Sequence, residues 1–218
     1  MLSNILKGSK IGGVANGTLN YLDSRENLAG ATSYTVTNAN LGTPSSNRII
    51  IIGVATLNNN NPTAVTIGGV SATKAIDTNV SGVVSSIWYA SVPNGSTGDI
   101  VVTKPSDSTA FAWFAGYTST ATPGDTGSFT GTDDATITID GYNGGFMVWC
   151  QSDRSNAATH TATWSGSGTV TTDQELTVSG TRSGSVGSVK PTSNVTNGTF
   201  TLTSGADSNR VVIASWSA

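Results

Sequence analysis

"AVTIGGVSATKAI", residues 64–76, sets two adjacent glycines in the middle of alternating apolar and hydroxyl-bearing residues. A glycine-rich turn either cradles a phosphate at the start of a helix or reverses a strand, and register separates the two. A two-residue loop at Gly68 and Gly69 puts Ile67 opposite Val70, Thr66 opposite Ser71, Val65 opposite Ala72 and Ala64 opposite Thr73. Ile67, Val70, Val65 and Ala72 then share an apolar face, with Thr66 and Ser71 on the other, as a hairpin requires. A phosphate loop leads into a helix, whereas the residues after Gly69 are strand-like. The pair is therefore read as a hairpin corner, with positive φ at one or both glycines.

Outward from this hairpin, turn clusters such as "GTPSSN", "NNNNP", "PNGSTG", "KPSDS", "TPGDTG", "DGYNGG" and "TSNVTNG" cut the chain into short segments. Strands are expected at 33–38, 48–57, 63–67, 70–76, 83–92, 98–104, 110–117, 135–140, 144–151, 159–164, 169–178, 184–190, 198–204 and 209–216. No comparable helical segment occurs, so the fold class is all-β, an antiparallel β-sandwich over residues 32–218. Residues 1–31 differ. Leu2, Ile5, Leu6, Ile11, Val14, Leu19 and Leu22 are interrupted by Gly8, Gly12, Gly13 and Gly17, which breaks any helical stripe. An extended N-terminal arm is expected there, with one short helical turn at most and a surface to lie on.

Several strands are apolar on both faces, which is unusual where one side of an antiparallel sheet meets water. Ile49 and Ile51 oppose Ile50, Ile52 and Val54; Phe111 and Trp113 oppose Phe114; Phe146 and Val148 oppose Met147 and Trp149; Val211 and Ile213 oppose Val212 and Trp216. The second face needs a cover. The candidates are the arm, a long loop of the same chain, or a neighbouring subunit.

Composition removes several function classes. The 218 residues carry a net charge of −3, and the ten Lys and Arg are scattered, so no basic stripe is available for a nucleic acid. The longest apolar run, "IIIIGVA", is too short to span a bilayer, and "MLSNILKGSKIGGVANG" lacks a signal-peptide pattern, so no membrane association is expected and synthesis in a cytoplasm is. Cys150 is the single cysteine; it allows neither a disulfide nor a multi-cysteine zinc site and is expected in the core.

No enzyme and no cofactor is expected. His160 is the only histidine, and no Ser-x-x-Lys with supporting motifs is present to replace a His-based nucleophile. Carboxylates fall mostly in turns, where a short Asp side chain bonds its own backbone, and no spacing singles out a glycosidase pair. "GTDDAT", residues 131–136, has oxygen ligands suited to calcium but no EF-hand spacing. Trp88, Trp113, Trp149 and Trp216 sit inside apolar strands; Trp164, in "TATWSGSG", is the one expected to be exposed and able to stack on a sugar.

Taken as a series, "SYTVTNANLGTPSSNRIIIIGVA", "VTIGGVSATKA", "SIWYASVPNGSTGDIVVTK" and the terminal "RVVIASWSA" resemble the β-sandwich module of structural proteins in tailed-bacteriophage virions. The resemblance implies a jelly-roll-like sandwich. It also implies a capsid decoration (cement) protein on the outer surface of a phage head, bound to the major capsid protein as a homo-oligomer, a trimer foremost. It carries no catalytic residues. On this reading Leu2, Ile5, Leu6, Ile11, Val14, Leu19 and Leu22 of the arm contact the capsid or a neighbouring subunit. The alternative is a tail-associated or host-glycan-binding module that uses Trp164.

Overall fold

A computed structural model describes residues 17–27, 30–58, 60–78, 82–105, 107–132, 134–154, 159–179, 182–204 and 209–218. The first half of the chain forms β1 (Thr18–Asn27), β2 (Ser33–Asn40), β3 (Arg48–Thr56), β4 (Ala64–Ile67), β5 (Val70–Ser71), β6 (Thr73–Asp77), β7 (Val84–Ser91), β8 (Thr97–Thr103) and β9 (Thr109–Tyr117). The second forms β10 (Asp125–Gly131), β11 (Ala135–Gly141), β12 (Phe146–Asp153), β13 (Thr161–Trp164), β14 (Gly168–Ser179), β15 (Arg182–Pro191), β16 (Val195–Thr203) and β17 (Asn209–Trp216). The fold is all-β, and the strands pair antiparallel throughout, as expected of a sandwich.

Four sheets stack in layers. An outer sheet β2-β8-β4-β5 packs on an inner sheet β1-β9-β3-β7-β6; a second inner sheet β10-β17-β12-β15-β14 packs on an outer sheet β11-β16-β13. The three apolar interiors follow from strand alternation. Ile50, Ile52, Val54, Phe111 and Trp113 point into the first sandwich, toward Val65, Ile67, Ile100 and Val102. Met147, Trp149, Val211 and Ile213 point into the second, toward Ile137, Phe200 and Leu202. The opposite faces of the same strands meet each other: Ile49, Ile51 and Phe114 pack against Val148, Cys150, Val212 and Trp216.

This answers why the strands are apolar on both sides. Among the described residues, the extra face of each inner sheet is covered by the inner sheet of the other half. The expected single sandwich over 32–218 resolves into two sandwiches back to back. Among the described residues, Val70 at 41% exposure is the one large apolar side chain left in solvent. Each large side chain buried this way contributes about 1.5–3 kcal/mol, and the stacked pair Phe146 and Trp216, 5.7 Å between ring centroids, closes one end of the central interior.

The second half repeats the first in every strand but β5. Reading β10 for β1, β11 for β2, β12 for β3, β13 for β4, β14 for β6, β15 for β7, β16 for β8 and β17 for β9 converts one sheet order into the other, with β5 left over. Registers agree too. The row Val36–Ile100–Ile67 becomes Ile137–Phe200–Trp164, and the row Trp88–Ile52–Trp113 becomes Gly187–Trp149–Ile213. A bulge lies between Lys74 and Ile76 in one half and between Thr172 and Gln174 in the other. In sequence, Gly98, Thr103, Asp107 and Ser108 recur 100 positions later as Gly198, Thr203, Asp207 and Ser208.

The arm also needs correction. Residues 18–27 are β1, an edge strand of the first inner sheet that pairs with β9 from Thr18↔Tyr117 to Asn27↔Thr109. Leu19 is buried in the central interior and Leu22 packs against the first sandwich, so both contribute to this chain's own core. Leu2, Ile5, Leu6, Ile11 and Val14 lie outside the described residues.

Candidate functional site

The hairpin at Gly68 and Gly69 forms as expected, with Ile67↔Val70 and Thr66↔Ser71 in register. Both glycines have positive φ, 56° at Gly68 and 80° at Gly69, the conformation of a type I′ turn. Val70 departs from the expectation by facing solvent. The hairpin also does more than reverse a strand, because it forms one wall of a cleft of about 470 Å³.

The floor of this cleft is apolar, with Leu41, Val92 and Val101; its polar groups are Thr66, Asn94, Thr97 and Asp99. Glycine sets its depth. A Cβ on Gly98 would lie 2.9 Å from both Gly68 Cα and Leu41 Cδ1, so only glycine lets the hairpin close on β8. The Gly68 N–H donates to the Asp99 carbonyl at 2.8 Å. Asp99 Oδ1 accepts the N–H of Asn38 at 2.9 Å, and Asn38 holds φ 54° in the bulge of β2 between Val36 and Ala39. One carboxylate oxygen is thus committed to the backbone.

Arg48, fully buried at the start of β3, fixes the facing loop. Its guanidinium donates to four carbonyls, those of Val92 (2.7 Å), Gly42 (2.9 Å), Asn94 (2.8 Å) and Gly95 (2.7 Å). Burial lowers its pKa, and a nearby Tyr117 hydroxyl opposes the shift. The Leu41 N–H adds a bond to the Ser96 carbonyl at 2.8 Å. The Asn94 side chain is therefore presented from a loop whose backbone is tied down at three successive residues.

In the second half the corresponding ground is filled. Trp164, at the register position of Ile67, lies across Gly198, Gly166 and Gly141; a Cβ on Gly198 would meet its Cη2 at 2.1 Å. Its Nε1 is buried without a hydrogen-bond partner. Trp164 is half-buried against the second sandwich's interior, which corrects the expectation of an exposed stacking platform.

The opposite end of the second sandwich holds a buried polar group around His160. Its Nδ1 lies 2.5 Å from Glu175 Oε2, and its Nε2, which has no hydrogen-bond partner, lies 4.0 Å from Asp153 Oδ2. Gln151 Nε2 donates to Asn209 Oδ1 at 3.1 Å, and Ser185 Oγ donates to Gln151 Oε1 at 3.3 Å. A hydroxyl or thiol positioned on Nε2 would make a nucleophile pair; here Glu175 instead also accepts the His160 N–H, at 3.0 Å, binding the lead-in of β13 to β14. Cys150 lies in the central interior, and burial pushes its thiol up to about 12.

The carboxylates divide between local and cross-strand duty. Asp107 and Asp125 accept the N–H of the next residue, Ser108 at 2.7 Å and Thr126 at 2.8 Å. Asp134 in "GTDDAT" accepts from Thr203 Oγ1 at 3.1 Å and the Ser204 N–H at 3.4 Å, so it ties strand ends; Asp133 lies outside the described residues. Among the described residues no three His, Cys, Asp or Glu side chains are gathered as a metal site.

Sequence reading found the hairpin and missed the cleft. Arg48 and the "PNGSTGD" turn lie in the stretches that carry the resemblance, but nothing in the spacing says that they meet Gly68 across a rim. No protein-family model matches this chain, and no curated protein or solved structure matches it.

Proposed function

We propose that this chain is a structural protein of a virion, a capsid decoration protein that binds the outer surface of a phage head and bridges major capsid subunits. The sequence resemblance motivates the reading, and the winding of each half supports it. Strands β1 to β9 pass back and forth between two sheets with the orders β1-β9-β3-β7-β6 and β2-β8-β4-β5; with β6 set aside, these orders are compatible with a jelly-roll winding. Two such halves fused back to back would serve as a spacer on this reading.

The observation that carries the reading is where the chain enters this body. The Gly17 N–H donates to the Gly144 carbonyl at 2.6 Å, and β1 begins beside it, so residues 1–16 precede a body that already covers its own apolar faces. On this reading Leu2, Ile5, Leu6, Ile11 and Val14 contact a partner. The major capsid protein is that partner on this reading. Trimer contacts would use polar surface or residues 1–16, since the apolar strand faces are spent inside the chain.

Deleting residues 2–16 tests it. The shortened chain is expected to keep its thermal midpoint and lose co-sedimentation with phage heads assembled without it. Unchanged co-sedimentation would remove the proposal. Gold labelling of virions separates head surface from tail, the location the alternative requires.

A further inference from the structure

The geometry points to the cleft between the Gly68–Gly69 hairpin and the Arg48-anchored loop as a binding site for a neutral sugar. The proposal goes beyond the virion reading and holds for a head or a tail protein alike. Four features lead to it. The cleft, at about 470 Å³, has room for a monosaccharide or disaccharide. Its polar groups, the Asn94 amide, the Thr97 and Thr66 hydroxyls and the Asp99 carboxylate, together donate and accept, matched by a ligand whose several hydroxyls do both. Val101, half-buried, offers an apolar contact to the C–H face of a ring, backed by the buried Leu41 and Val92. Among the described residues, Asp99 is the only charged one lining the cleft, which disfavours an anionic ligand.

The rim is also held in place before any ligand arrives. Asp99 Oδ1 is committed to the Asn38 N–H, which orients the carboxylate and leaves Oδ2 for a hydroxyl pair. Arg48 holds the Asn94 and Gly95 carbonyls, so the loop is ordered at no cost to binding. The second half supplies an internal comparison. There Trp164 lies over Gly198, the counterpart of Gly98, and fills the ground that the first half leaves open.

The test is saturation-transfer NMR and calorimetry on the full chain with glucose, galactose, mannose, N-acetylglucosamine and their β-linked disaccharides, with glucuronate as the anionic control. At least one neutral sugar is expected to bind and glucuronate to bind at least tenfold more weakly. Asn94→Ala should weaken binding about fivefold, since the loop is held through the Asn94 carbonyl and not its side chain, and Asp99→Asn should weaken it about tenfold while still capping Asn38. Trp164→Phe should leave affinity unchanged. The site is overturned by transfer to no sugar, by a lysine tripeptide binding in place of the sugars, by glucuronate binding equally, or by binding that survives Asn94→Ala and Asp99→Asn but is lost in Trp164→Phe.

Discussion

Gly53 and Cys150 face each other across the two inner sheets: a Cβ on Gly53 would lie 3.0 Å from Cys150 Cβ and 3.0 Å from Val186 Cγ1. Each residue directly succeeds the one that marks its half's central row, Ile52 and Trp149, so the two occupy the same place in their repeats. In a two-fold arrangement residues on the axis meet their own counterparts. The repeats therefore meet as an isologous pair would, and glycine on one side makes room for cysteine on the other. Gly53→Ala is expected to cost about 1–3 kcal/mol by overpacking. Adding Cys150→Gly should return part of that, with a coupling of about 1 kcal/mol in urea-denaturation cycles; additive losses would show that the contact is not the cause.

If the inner sheets hold the halves together, the linker between β9 and β10 is dispensable once folding is complete. Thr122 and Pro123 lie near the surface there, and exposed tips of this kind tolerate insertion and cleavage. A protease site inserted between Thr122 and Pro123 of the full chain should be cut without separating the halves, which should co-elute in size-exclusion chromatography. Elution as two smaller species would mean that the central interior is too weak to act as an interface.

The strands that pattern reading found and those it missed divide along the repeat. The fourteen expected segments correspond to fifteen observed strands, because "VSATKAI" splits at Ala72 into β5 and β6. The two unexpected strands are β1 and β10, counterparts of each other at the edges of the inner sheets. Edge strands bury less, so their alternation is diluted: β1 carries Asp23, Arg25 and Glu26 after its bulge, and β10 carries Gly127 and Gly131 around Phe129. Two-sided strands were legible residue by residue, down to which way Ile49 and Ile50 point. What they would pack against was not, since pairing one sheet with another joins residues about 100 positions apart. The cleft was hidden for the same reason, as Gly68 meets Val92 and Gly98 only after the sandwich closes.

Arg48 makes a sharper demand. Its buried guanidinium is compensated by carbonyl oxygens of four residues, which only the planar fork of arginine can reach together. Arg48→Met would leave those carbonyls without a donor, a loss of about 3 kcal/mol or more, and Arg48→Lys should recover only a minor part. Hydrogen exchange should locate the damage, with faster exchange at Ser96, Thr97 and Leu41 and little change around His160. Uniform acceleration across both sandwiches would mean that Arg48 acts on global stability alone.

Cys150 supplies the pH dependence. Burial raises its thiol from the ordinary 9.0 to about 12, so the folded chain keeps the proton over a range in which the unfolded chain releases it. Stability is full below pH 9 and falls as pH rises through that window, because the native state then binds more protons than the unfolded one. The slope contributed by this group is about 1.4 kcal/mol per pH unit. Subtracting the urea stability of Cys150→Ala, measured at each pH, isolates it from the tyrosines that titrate nearby in pH. The difference should be flat from about pH 7 to about pH 8.5 and shrink above about pH 9. In the same range a thiol reagent should label the native chain only at the rate of global unfolding. A difference curve flat to about pH 11, or labelling at the rate of a free thiol, would place Cys150 in contact with water and remove the close packing of the two inner sheets around it.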